Sequence, residues 1–196
     1  MTQRRHPIAV FLSGGGRTLA NLIEHRDQHD LPIDIRLVIS SSAKVKGIVI
    51  AKDAGIETLV VQKSRYPDPG DYSRSMFEPC RVAAVDLVVM AGFLKHVLIP
   101  SDFTNRVINI HPSLLPKYGG PGMYGQNVHR AVLAAQETVS GCTVHYVDNE
   151  YDNGPAILQR SCEVRANDTA DDLAARVFAE ECEALPAAIR KVFSGA

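Results

Sequence analysis

The residue types best suited to chemistry stand two apart in Val107-Ile-Asn-Ile-His-Pro-Ser-Leu-Leu-Pro116. If the apolar run is a strand, alternate side chains share a face, so Asn109 and His111 project together. Pro112 cannot continue a central ladder and marks the strand's end directly after the histidine. An amide can donate to an oxygen that becomes negative, and an imidazole can transfer a proton. Such a histidine needs an orienting or charge-balancing partner, and a carboxylate beside it favours the imidazolium. The segment Asp148-Asn-Glu-Tyr-Asp-Asn-Gly154 offers Asp148, Glu150 and Asp152. Spacing alone does not choose among them.

A second pattern, Ser13-Gly-Gly-Gly-Arg-Thr18, follows the apolar run Ile8–Leu12. Backbone N–H groups of such a loop, with a helix N-terminus behind them, favour an anion. Position 19, where a dinucleotide fingerprint needs its third glycine, is Leu19, and Ser40-Ser41-Ser42 supplies no acid for a ribose. No Gly-Lys-Ser/Thr follows either, so the loop suits a single phosphate, with Arg17 able to grip it at two points. A zinc set drawn from Cys142, His145, His111, His129 and Asp152 fails on geometry. In a strand Cys142 and His145 face opposite ways, and no metal is expected.

These residues need a scaffold that alternates strand and helix. Apolar runs at Ile8–Leu12, Ile35–Ile39, Glu57–Val61, Asp86–Ala91 and Arg106–Ile110 read as strands. Helical patterns lie between them at Thr18–Arg26, Lys44–Ala54 and Tyr72–Ala84. Cys142–Val147 and Ala156–Gln159 read as a later strand pair. Thr169-x-x-Asp172 resembles a capping box that opens a final helix to Phe193. The expected architecture is α/β: one doubly wound, mostly parallel sheet in a single domain over 1–196, with a C-terminal strand pair and helix.

Composition narrows the partners. The 196 residues are 45% hydrophobic and carry 21 Lys+Arg against 22 Asp+Glu, a net charge of −1, so no broad field attracts nucleic acid or a membrane surface. The basic, polar Met1–Pro7 and the short apolar run after it do not form a signal peptide, and no run is long enough to span a bilayer. Cys80, Cys142, Cys162 and Cys182 are scattered without a C-x-x-C, which suits reduced thiols in a cytoplasmic protein.

At this point the residues resemble a known family. Asn109-Ile-His-Pro-Ser-Leu-Leu-Pro116 looks like the signature of the folate-dependent formyltransferases. Met90-Ala-Gly-Phe-Leu94, Thr143-Val-His-Tyr-Val147 and Asp152-Asn-Gly-Pro-Ala-Ile-Leu-Gln159 narrow it to the branch that formylates glycinamide ribonucleotide in purine biosynthesis. The resemblance runs from Ile8 to Phe193 and implies a Rossmann-like formyltransferase fold with 10-formyltetrahydrofolate as co-substrate. It implies that Asn109 stabilises an oxyanion, that His111 is the general acid, and that Asp152 keeps His111 protonated, with His145 supporting. It places the nucleotide at Gly16, Arg17, Thr18 and Glu181, and the folate at Leu94, Lys95, His96, Val97 and Asp148. Independently, Glu181 interrupts the apolar stripe Leu173, Val177, Leu185 and Ile189, where a lone carboxylate needs a polar partner. The implied partners are small molecules, and a homodimer is the assembly the resemblance allows.

Departures from the family pattern are local. Arg17-Thr18 replaces a common Ser-Asn, Pro69 stands where relatives carry an arginine, and Phe178 replaces a Lys or Gln. Tyr118-Gly-Gly-Pro-Gly-Met-Tyr-Gly125 is glycine-rich and suits a flap over the folate. The competing readings are formyl transfer to another amine, such as a sugar nucleotide or methionyl-tRNA, a formyltetrahydrofolate hydrolase, and a non-catalytic phosphosugar or folate binder. The transferases and the hydrolase carry additional domains for which this length leaves no expected room, and the Asn109, His111 and Asp152 set argues against the binder.

Overall fold

The computed structural model describes residues 4–195; Met1–Gln3, the start of the segment read for targeting, lie outside them. Seven strands form one sheet in the order β3-β2-β1-β4-β5-β6-β7. The chain divides into two compact units, 1–108 and 109–196. The division falls inside β5 (Val107–His111).

The first unit is built on β1 (His6–Leu12), β2 (Ile33–Ser40), β3 (Glu57–Val60) and β4 (Leu87–Met90). β1 pairs in parallel with β2 and β4, and β2 with β3. Ile8 to Leu12 have no exposed surface, as expected of a parallel strand covered on both faces. Helices α1 (Arg17–Gln28), α2 (Lys46–Asp53) and α3 (Pro69–Val82) connect the strands. The rings of Phe11 and Phe77 pack edge-on at 5.6 Å, and Phe77 meets Phe103 at 4.8 Å, filling the core under α3. α3 starts at Pro69 rather than at Tyr72, because proline suits the first helical position and the Asp68 carboxylate accepts from Asp71 N–H.

The second unit holds α4 (Gln126–Ala134), β6 (Val139–Tyr146), β7 (Ala156–Glu163) and α5 (Ala170–Ser194). β6 and β7 are antiparallel, with a bulge where Val144 and His145 meet Leu158 and Ala156. α5 packs on both strands, burying Leu173, Val177, Leu185 and Ile189. The Thr169–Asp172 capping box forms as the sequence suggests. α4 was not anticipated. Its N-cap, Gly125, has φ +52 and no side-chain cap, so the usual start signal is missing although Val128 and Val132 repeat at a helical spacing.

No helix among the described residues is long and apolar enough to cross a membrane. All four cysteines are free thiols.

Candidate active site

The end of β5 and the loops of the second unit build a cluster of polar side chains. Asn109 and His111, sharing a face of β5, meet His145 from β6 and Asp152 from the 147–155 loop. His111 and His145 are buried at 4% and 1% exposure, and the Asp152 side chain is 13% exposed. Asp152 Oδ1 lies 3.5 Å from His111 Nδ1 and 3.7 Å from His145 Nε2. Its other oxygen accepts from Gly120 N–H at 2.9 Å.

Local backbone geometry aims this carboxylate. Asp152 has φ +52, a left-handed conformation that a non-glycine residue keeps only where its surroundings hold it. The base of the loop is closed by Tyr146 N–H on the Pro155 carbonyl at 3.0 Å. Gly154 sits so tightly there that an added Cβ would fall 1.9 Å from the Tyr146 carbonyl oxygen. No other residue fits without moving the loop.

Carbonyl neighbours assign the tautomers, since a carbonyl only accepts. His145 Nδ1 stands 2.8 Å from the Tyr146 carbonyl and therefore carries a proton. Asn109 Nδ2 stands 3.2 Å from His145 Nε2, so the amide donates to a neutral imidazole. Burial is the largest influence on His145 and pushes its pKa below the usual range, against the pull of the Tyr146 carbonyl and Asp152. The consequence for Asn109 is a fixed orientation: one N–H is held by His145 and the amide cannot flip. His111 Nε2 stands 2.8 Å from the Tyr118 carbonyl, so this nitrogen is also protonated. In His111 it is Nδ1 that faces Asp152; in His145 it is Nε2.

Thr143 ties the floor together. Its hydroxyl donates to the Ser113 carbonyl at 2.7 Å and accepts from Leu115 N–H at 3.0 Å and Gln159 Nε2 at 2.9 Å. This locks the chain that leaves β5 against β6.

The first unit carries its own loops at the carboxyl ends of β1 and β4. The strand order reverses there, and open α/β sheets bind ligands at such a point. Gly16 caps α1 at φ +73 with no side-chain cap, leaving the first-turn N–H groups toward the loop, with no acidic residue in that turn. A Cβ on Gly16 would stand 2.5 Å from the Cα of Gly47, whose N–H donates to the Gly14 carbonyl at 3.2 Å. Ser13 joins this loop to the segment after β4. It meets Ser41 Oγ at 2.7 Å, accepts from Leu94 N–H at 2.9 Å, and donates its own N–H to the Gly92 carbonyl at 3.1 Å. Arg17, Leu94 and Lys95 are exposed, Thr18 and His96 half-buried, and Val97 buried, which leaves Val97 only its backbone to offer.

The expected residues thus separate into groups. Asn109, His111, His145 and Asp152 come together in one unit; Gly16, Arg17, Thr18 and Leu94 to Val97 belong to linked loops in the other. Of the three candidate carboxylates, Asp152 is the one with an oxygen within 4 Å of ring nitrogens of His111 and His145. Asp148 is turned to its own loop, accepting from Glu150 N–H at 2.8 Å and Asn153 Nδ2 at 3.2 Å. Glu181 is half-buried on α5, where its charge helps push the Cys142 thiol up to about 12, behind the larger effect of burial. Pro69 serves as a helix start. The sequence reading missed the Tyr118 carbonyl and the Gly120 N–H, because main-chain groups leave no residue-type signal.

Comparison with known proteins places this geometry in context. The family described as formyl transferase matches residues 6–189. The chain is 40% identical over 185 residues to a chloroplastic phosphoribosylglycinamide formyltransferase of Vigna unguiculata, covering 92% of this chain and 59% of that protein. It is 37% identical over 185 residues to the phosphoribosylglycinamide formyltransferase of Escherichia coli K12, covering 93% of this chain and 84% of the other. The crystal structure of glycinamide ribonucleotide transformylase 1 from Symbiobacterium toebii superposes with a TM-score of 0.91 at 35% identity, covering 97% of this chain and 89% of that one. The chain spans less than two thirds of the length of the plant relatives.

Proposed function

The chain belongs to the formyl transferase family, and on that premise we propose that it transfers the formyl group of 10-formyltetrahydrofolate to the amine of glycinamide ribonucleotide in purine biosynthesis. The observation that carries this reading is the meeting of Asn109 and Asp152 with the buried His111 and His145 in one cluster. The substrate amine attacks the formyl carbon, its lone pair forms the new C–N bond, and the carbonyl electrons move onto oxygen. The Asn109 N–H not held by His145 is the donor for that oxygen, fixed before the charge appears. The oxygen's electrons then return to re-form the carbonyl as the bond from the formyl carbon to the folate nitrogen breaks, the amine losing a proton and the departing nitrogen gaining one. His111, with Asp152 beside Nδ1, moves that proton, and Asp152 balances the imidazolium charge.

The first-unit loops suit the two substrates' anionic and polar parts. Gly16, Arg17 and Thr18 present N–H groups and a guanidinium to a phosphate, and Leu94, Lys95, His96 and Val97 take the folate. In the second unit, Glu181 is the group suited to a ribose hydroxyl and Asp148 to a polar folate group. The 196 residues act as one formyltransferase domain, and the scattered cysteines without a C-x-x-C suit a reducing compartment such as the cytoplasm.

The test is formyl transfer by the purified chain with 10-formyltetrahydrofolate and glycinamide ribonucleotide, followed by release of tetrahydrofolate and formation of the formylated nucleotide. Turnover with both substrates is expected. Turnover of water or of another amine, with none of glycinamide ribonucleotide, would overturn this choice of acceptor.

A further inference from the structure

The acceptor on His111 Nε2 is a main-chain carbonyl, in a segment held by Lys117 N–H on the Leu114 carbonyl and by Gly120 N–H on Asp152 as well as by side chains. Tyr118 has φ +56, a conformation that a tyrosine keeps only under constraint. Glu137, a partly exposed carboxylate on the turn between α4 and β6, binds the side chains of Lys117 and Tyr118. One oxygen, Oε1, accepts from Lys117 Nζ at 2.8 Å and from the Tyr118 phenol at 2.9 Å. Consecutive residues are thus gripped by a single atom. The Lys117 carbonyl, between them, accepts from Ser113 Oγ at 2.7 Å, so the peptide before Tyr118 is held from the β5 side as well.

We propose that Glu137 is a positioning residue for His111. By gripping Lys117 and Tyr118 it fixes the Tyr118 carbonyl, which keeps one proton on His111 Nε2. Nδ1, on the Asp152 side, is then the nitrogen that exchanges a proton during catalysis. Without the grip the Tyr118 peptide relaxes, the carbonyl leaves Nε2, and the ring is free to adopt the other tautomer or rotate. The ionisable groups around His111 are Asp152 from the 147–155 loop, His145 from β6 and His129 from α4. Asp152 stands at the other ring nitrogen, and the accepting nitrogen of His145 already takes the Asn109 N–H, so neither replaces the lost acceptor on Nε2. The catalytic part of the proposal rests on the formyl-transfer reading; the tautomer part does not.

The experiment follows the histidine ring nitrogens of the full chain by two-dimensional ¹H–¹⁵N spectra, with His111 assigned by its loss in H111Q. In the wild type, His111 gives a protected Nε2–H signal. E137A and the double variant K117A/Y118F both lose that protection, while E137Q keeps it, because an amide oxygen still accepts from both donors. In formyl-transfer assays, kcat of E137A and of K117A/Y118F falls about 5–20-fold, less than the hundredfold or more that a proton-transfer group itself supplies. KM for either substrate stays within about twofold, E137Q remains close to wild type, and the triple variant is no worse than the double. Unchanged His111 signals in E137A and K117A/Y118F overturn the proposal. So does equal damage in E137Q and E137A, or an effect confined to KM. If the wild type fails to formylate glycinamide ribonucleotide, the functional reading falls, and the ring spectra still decide the clamp.

Discussion

The two units present polar groups by opposite means. Around Gly16 the first unit uses main chain: a left-handed cap, open N–H groups on α1, and a backbone packed so closely on Gly47 that no side chain fits. Around His111 the second unit uses side chains whose protons are assigned one by one by carbonyls, at Tyr118 and Tyr146. A main-chain cradle can recognise charge but cannot exchange protons. A side-chain cluster can do so, provided each ring is told which nitrogen keeps its hydrogen. Binding and proton transfer should therefore fail separately under mutation.

The largest expected effect is on the side-chain cluster. Asp152→Asn keeps an oxygen for Gly120 N–H but removes the charge facing His111, so kcat should fall about 10²–10⁴-fold, with substrate KM values and the melting temperature nearly unchanged. Steady-state kinetics beside a thermal melt checks this; a near-normal kcat would show that Asp152 is not the histidine's partner. Next in size is Gly16→Ala, which places a Cβ 2.5 Å from Gly47 Cα at a backbone angle of φ +73. It should cost about 1–3 kcal/mol in stability and raise the KM for the nucleotide more than that for the folate, with kcat at saturation much less affected. A variant that melts normally, or loses kcat at unchanged KM, would break the division between cradle and cluster.

The smallest effect is expected from pH. Burial lowers the pKa of both His145 and His129 from an unfolded value of 6.5, and the His111 charge adds to the effect on His129. The unfolded chain therefore takes up protons that the folded chain resists. Stability should be full above about pH 7 and decline as pH falls through 6.5, by up to about 1.4 kcal/mol per pH unit for each ring. Melting curves from pH 7.5 to 5 test the sign, and His129→Gln should flatten the slope. A protein that gains stability over that interval would refute the assignment of neutral, buried rings.

Legibility in the sequence followed the same division. The shared face of Asn109 and His111 could be read because strand parity is a local rule, and the Thr169–Asp172 cap because its residues sit at a fixed offset. The choice among Asp148, Glu150 and Asp152 could not be read from spacing, because it depends on a left-handed Asp152 and on Gly154 tucked under the Tyr146 carbonyl. α4 escaped because a glycine cap carries no polar side chain to announce it. The Tyr118 carbonyl and Glu137 were invisible for a different reason. One is main chain, and the other reaches the cluster only through the fold.

The contact between Gly16 and Gly47 has a consequence for how this protein tolerates change. In a saturation screen for growth, position 47 should score as intolerant as any residue that touches a substrate. The cause would lie in packing, since a Cβ there would meet the Leu12 side chain at 2.8 Å and the Gly14 carbonyl at 3.0 Å. A tolerance map of this chain would thus draw the proposed phosphate loop wider than it is, extending it into α2. Only a paired screen for folded abundance would trim it back.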